Sequence, residues 1–99
     1  MENINESRKQ LLFKLKDEYS ELCTRAERLL TFINEASLPE SKAYDMVRKT
    51  LPLEHYNYLY DMKEQLKAMQ KYAECLSYRI GYLNDEIERE VKENEKQEC

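Results

Sequence analysis

The apolar residues of this chain recur at helical spacing along most of its length, and most regularly near its end. Leu59, Leu66, Ala73, Ile80 and Ile87 sit seven apart, and Met62, Met69, Leu76 and Leu83 form a second series seven apart. These are the a and d positions of a heptad repeat, in which every third and fourth side chain returns to the same face of a helix. The pattern predicts a long last helix over residues 52–95, in which these nine residues form the core or oligomer seam. Thr50 is placed to cap it, and Pro52 fits a first turn, where its missing N–H costs nothing. The next d position is Glu90, so the seam is expected to fade there.

A first helix is predicted over residues 4–35. Asn3 and Glu6 have the spacing of a capping box, and Leu11, Leu15, Tyr19, Leu22, Ala26, Leu29 and Ile33 follow in steps of three and four. Leu12, Cys23 and Leu30 widen that stripe. Between the long helices, Ser37 and Glu40 again have capping-box spacing, with Pro39 in the first turn. They predict a short connector helix over residues 38–49, with Leu38, Ala43, Met46 and Val47 as its apolar residues and Tyr44 beside them. Residues 96–99 read as a disordered tail. The fold class is all-α: a single domain, residues 1–99, built as an antiparallel helical hairpin of two long helices with a short connecting helix. At 1.5 Å per residue the last helix is on the order of 60 Å long and the first about 45–50 Å. The seam left uncovered by the shorter helix predicts assembly into a homo-oligomeric bundle.

Composition agrees with long helices. One Gly and two Pro in 99 residues leave too few breaks for a β-rich fold. The net charge of −4 lies wholly in residues 51–99, which hold seven basic and eleven acidic side chains. Without a net basic surface, polymeric nucleic acid is not an expected partner. Cys23, Cys75 and Cys99 are too few and too far apart for a disulfide scaffold or a zinc site, and they read as free thiols. No apolar run reaches the roughly 18 residues of a membrane span, and the polar N-terminus is no signal peptide. The expected location is the cytoplasm.

A second face of the last helix stands out. Tyr72, Cys75, Tyr78, Arg79 and Tyr82 form a stripe roughly opposite the seam, where a solvated helix would carry Lys, Glu and Gln. Tyrosine suits a half-buried interface, because its ring packs while its hydroxyl stays hydrogen-bonded. Gly81, in the middle of the same helix, costs about 1 kcal/mol of helix stability relative to Ala, which close approach of another helix or a ligand would justify. The stripe reads either as an oligomer or ligand surface or as a cover for the hairpin flank. At the start of the same helix, His55 and Tyr56 read either as packing over the turn or as part of an anion site on the free N–H groups.

Catalytic chemistry is missing from the pattern. There is no Gly-rich phosphate loop, no G-x-S-x-G elbow and only one histidine, so the chain reads as a non-enzyme with no metal and no cofactor. Two stretches carry a resemblance. They are Arg28-Leu29-Leu30-Thr31-Phe32-Ile33, and then Gln65, Leu66, Ala68, Met69, Tyr72, Leu76, Arg79 and Ile80. Together they resemble a family of short phage-encoded helical-hairpin proteins, first labelled from a crAss-like phage, over roughly residues 18–83. The connector here is longer than that family's. Its layout is similar to the hairpin of the phage anti-CBASS sponge, an oligomer that sequesters cyclic nucleotide immune signals without cleaving them.

The resemblance implies a phage-encoded homo-oligomer in the bacterial cytoplasm that binds a cyclic di- or trinucleotide to counter host defence. No sponge residue maps onto this chain. The candidate ligand residues therefore come from the chain's own aromatic and cationic groups: Tyr72, Tyr78, Arg79, Tyr82 and Lys71 on the last helix, and Arg25 and Arg28 on the first. Two other readings stand beside this one. The chain is also consistent with a helical adaptor or inhibitor of a host or phage protein, and with a purely structural self-assembling phage protein.

Overall fold

The computed structural model describes residues 4–97, with side chains described through Lys92. Its elements are three helices: α1 (Ile4–Ala36), α2 (Lys42–Thr50) and α3 (His55–Gln97). Among the described residues there is no strand, and α1 packs against α3 as a helical hairpin. No helix is long and apolar enough to cross a membrane. The Asn3 cap and residues 98 and 99 of the predicted tail lie outside the described residues.

The heptad holds on both long helices. On α3, all nine predicted seam residues from Leu59 to Ile87 are buried or half-buried. On α1 a seam of buried or half-buried positions runs Asn5, Arg8, Leu12, Leu15, Tyr19, Leu22, Ala26, Leu29, Ile33 and Ala36 in alternating steps of three and four, with Cys23 and Phe32 half-buried beside it. This corrects the predicted stripe at two points, one of them Leu30, which is exposed and does not widen it. Leu12 is on the seam, and Leu11, one position earlier, is turned outward and exposed. The reason is geometric: a step from Leu11 to Leu15 breaks the 3–4 alternation that keeps a seam facing its partner helix.

The chain folds into two compact units. The terminal unit joins residues 1–21 of the α1 side to residues 73–99 of the α3 side. Its buried apolar residues include Leu15 and Leu76, and Leu76 is wholly buried. The seam of this unit does not fade at Glu90. Arg8 Nη1 donates to Glu90 Oε2 at 2.5 Å, with both side chains about three-quarters buried. Two charged residues thus occupy facing heptad positions and satisfy each other.

The second unit spans residues 22–72 and contains the reversal of the chain. Ala36, Ala43 and Val47 are buried together, with Phe32 and Leu59 packed against them, so α2 closes the end of the hairpin. The helix boundaries differ from the sequence reading here. Ser41, not Ser37, is the N-cap of α2, and its Oγ accepts from Tyr44 N at 3.0 Å. Ser37 instead finishes α1: its N–H and hydroxyl both donate to the Ile33 carbonyl, at 3.0 and 2.7 Å. The Ser41 hydroxyl donates to the Glu35 carbonyl. These bonds satisfy carbonyls that the end of a helix leaves without partners. Pro39 explains the shift, since it disfavours helical backbone at Leu38.

Likewise α3 begins at His55 rather than at Pro52. Thr50 is the last residue of α2, Leu51 is its C-cap with φ −130°, and residues 52–54 form a turn. The Glu54 carbonyl accepts from Tyr58 N at 2.9 Å, and Asn57 Nδ2 donates to Glu54 Oε2 at 2.6 Å.

Candidate functional site

The terminal unit contains a recess of about 320 Å³ lined by Leu11, Leu15, Arg79, Tyr82, Leu83 and Glu86. Its construction follows from the heptads. Leu15 and Leu83 are d-position seam residues and form the floor. Leu11, Arg79 and Glu86 are g positions, which flank the seam on one side, and Tyr82 is a c position just outside them. Because α1 and α3 are antiparallel, their g flanks meet, and the recess opens there. Its volume lies at the lower end of the range for small-molecule sites.

The recess combines an apolar floor, one aromatic ring, one cation and one carboxylate. Arg79 and Glu86 are one heptad apart, so both stand on the same side of α3, about 10 Å apart along its axis. Glu86 lies 3.8 Å from Arg89, an exposed pair of small energetic weight. Arg79 makes no ion pair among the described residues, which leaves its planar fork of donors available to an oxyanion. Tyr82 is exposed, so its ring face is open to stacking.

The seven candidate ligand residues divide between the two units. Arg79 and Tyr82 come together in the recess. Tyr78 belongs to the same unit but stands further round α3, exposed, with its hydroxyl donating to Glu74 Oε1 at 3.0 Å. Lys71 and Tyr72 on α3, and Arg25 and Arg28 on α1, belong to the second unit and are exposed. Within the heptad frame the tyrosine stripe occupies c, f and g positions. It is therefore a lateral flank more than a face opposite the seam. Leu11 and Glu86 are the recess residues that the sequence reading did not single out. The signal that finds them is the heptad of α1, which fixes which flank of each helix faces the other.

The second unit holds a smaller recess of about 250 Å³, lined by Phe32, Met46, Val47, Thr50, Leu51 and Tyr58. It presents two hydroxyls and no charge. At the start of α3, His55 is 8% exposed, and neither ring nitrogen has a hydrogen-bond partner. Its ring centroid is 4.0 Å from that of Tyr56. His55 is a d position, seven before Met62, so it packs in the seam with its nitrogens covered and presents no donor to an anion at the helix end. Cys23 and Cys75 are free thiols. Among the described residues no group of His, Cys, Asp and Glu could hold a metal ion.

Comparison with known proteins gives one match. The family described as Sequestin matches residues 9–82. No curated protein and no solved structure matches the chain. The match takes in α1 from residue 9, the connector, α3 as far as Tyr82, and Leu11, Leu15, Arg79 and Tyr82 of the recess. With three-quarters of its length covered, the chain belongs to the Sequestin family.

Proposed function

We propose that this protein binds and sequesters a small nucleotide signal without chemically altering it, and that a phage uses it to counter a host defence that depends on such a signal. The observation that carries this reading is the recess of Arg79 and Tyr82 in a member of a family whose name denotes sequestration. A nucleotide is a planar, partly apolar ring joined to an anion. The apolar floor and the Tyr82 ring suit the base, and the unpaired guanidinium of Arg79 suits a phosphate. Glu86 accepts from a ribose hydroxyl or an exocyclic amine at the other end. Cyclic di- and trinucleotides are the ligand class expected from the sequence. Lys71, Tyr72, Tyr78, Arg25 and Arg28 are further candidates for holding the parts of such a ligand that extend beyond the recess.

Binding rather than turnover fits the side chains of the recess. The recess lining holds no serine, cysteine, lysine or histidine, and we read its Tyr82 and Glu86 as groups that hold a ligand. The test is a melting-temperature titration of the full chain against a panel of cyclic di- and trinucleotides and linear nucleotides. A ligand that raises the melting temperature is then released by heat and weighed by mass spectrometry. A shift with the ligand recovered intact supports sequestration. No shift across the panel, or recovery of a cleaved product, overturns it.

A further inference from the structure

Glu86 is the one anionic wall of a recess whose other groups suit an anionic ligand. The apolar floor and the Tyr82 ring accept any base, and Arg79 accepts any phosphate, so none of them decides which nucleotide enters. A carboxylate does decide, because its two oxygens accept hydrogen bonds and never donate them. What it reads depends on which part of the ligand lies opposite it.

The order of the side chains fixes that part. Arg79, Tyr82 and Glu86 follow one another along one flank of α3 and line the same recess. Along the axis Tyr82 stands about 4.5 Å beyond Arg79, and Glu86 stands about 6 Å beyond Tyr82. The ring therefore lies between the two charges. A nucleotide that stacks its base on Tyr82 and sets its phosphate on Arg79 points the far edge of the base at Glu86. The full span of about 10 Å matches the reach from a phosphate to the Watson–Crick edge of its own purine in an extended nucleotide. Ribose hydroxyls lie beside the phosphate and fall short of it.

Base chemistry then separates the candidates. Guanine sets two donors side by side on that edge, N1–H and N2–H, and the two oxygens of a carboxylate accept both at once. This is the fork geometry in which an arginine meets a carboxylate. Adenine and cytosine place a ring-nitrogen lone pair beside their amine, and uracil flanks its single N–H with two carbonyls. Each of these turns a lone pair toward the carboxylate, and a site left with a mismatched polar group rejects its ligand strongly. The oxygens of Glu86 are open to such donors. Their contact with Arg89 is long, at 3.8 Å, and both side chains are more than half exposed.

We propose that the recess selects guanine nucleotides, with Tyr82 stacking the base, Arg79 holding its phosphate, and Glu86 accepting from N1–H and N2–H as the residue that sets specificity. The proposal rests on the nucleotide reading of the recess and narrows its ligand to one base.

The test is calorimetric titration of the full chain with mononucleotides and cyclic dinucleotides that carry guanine, hypoxanthine, adenine or uracil. The guanine ligands should bind at least about tenfold tighter than the adenine and uracil ligands, as one good bidentate pair discriminates. Hypoxanthine keeps N1–H and lacks the N2 amine, so its ligands should fall in between, and this comparison needs no change to the protein. Glu86→Gln then tests the residue itself. Glutamine presents one acceptor and one donor, the combination that complements adenine. The ratio of guanine to adenine affinity should therefore fall at least about tenfold, with helicity unchanged by circular dichroism. A Glu86 that only supports the fold would weaken every ligand alike and leave that ratio where it was. Guanine ligands that bind no tighter than their hypoxanthine and adenine counterparts overturn the proposal. So does a guanine preference that Glu86→Gln leaves intact. In both cases the binding of other members of the panel leaves the nucleotide reading standing, whereas binding by no member removes that reading and this proposal together.

Discussion

Leu76 is the largest side chain that the fold buries completely, and its truncation measures how much the seam of the terminal unit holds. Leu76→Ala removes three carbons from a fully buried site. At about 0.8 kcal/mol for each buried CH₂ the transfer contribution is about 2.4 kcal/mol. The cavity left behind adds to it, and in a hairpin one helix can relax toward the gap, so the addition is small and the total is about 3 kcal/mol. For a domain of this length that corresponds to a fall in melting temperature of about 12–24 °C. The assay is urea unfolding followed by circular dichroism at fixed protein concentration, since any association of copies makes stability depend on concentration. Leu53→Ala is the matched control, because Leu53 is 91% exposed in the turn before α3. It should lie within about 0.5 kcal/mol of the wild type. If Leu76→Ala costs less than about 1 kcal/mol, or no more than Leu53→Ala, then the buried heptad is not what stabilises the fold and the packing argument fails.

Other consequences are equally direct. Arg79→Ala and Tyr82→Ala should each weaken nucleotide binding by about tenfold or more by calorimetry while leaving the melting temperature of the unliganded protein unchanged, since both side chains are exposed. An unchanged affinity in both would remove the recess from the function. Ser41→Ala deletes the N-cap bond to Tyr44 and should cost about 1 kcal/mol in denaturant unfolding, whereas Ser37→Ala, which touches no cap of α2, should not detach α2. His55→Leu exchanges a covered ring without hydrogen-bond partners for an apolar seam residue and should raise stability by about 1 kcal/mol. A loss of stability instead would mean that the imidazole is satisfied in solution. Gly81→Ala should stabilise the helix by about 1 kcal/mol, as no atom of the chain opposes the added methyl.

The parts of this molecule that the sequence discloses are those governed by period. Nine α3 positions at heptad spacing foretell the burial from Leu59 to Ile87, because a side chain's place on a helix depends only on its number. The same rule applied to α1 would have placed Arg8 and Leu12 on the seam, and Leu11 beside Arg79. Reading α1 as one wide apolar stripe hid that, since Leu11 and Leu12 are equally apolar and only the strict alternation separates them. Turn chemistry was harder to read. Ser37 and Ser41 both have cap-like neighbours, and the choice between them rests on the backbone before Pro39 and on the need to satisfy the Ile33 and Glu35 carbonyls. The recess was legible in its aromatic and cationic members, Tyr82 and Arg79, but not in its walls. Leu11 and Glu86 join it only through the pairing of two flanks that are far apart in the sequence.

The pair between Arg8 and Glu90 bears on a hazard peculiar to this architecture. Two helices whose apolar residues both repeat every seven positions can slide past each other by one repeat, about 10.5 Å, and still bring leucine against leucine. Apolar contact alone therefore discriminates poorly between the native alignment and its shifted neighbours. A displaced hairpin would set Arg8 against Leu83, seven residues before Glu90, and would strand both charges in a partly dehydrated seam. A polar group at a single core position is known to fix alignment in coiled helices in this way. The pair thus acts as a vernier mark during folding: misaligned hairpins carry two mismatched charges and reopen, while the native one locks. Replacing both residues with leucine would be expected to leave the melting temperature high and to replace single-exponential refolding with a slow, heterogeneous search among alignments.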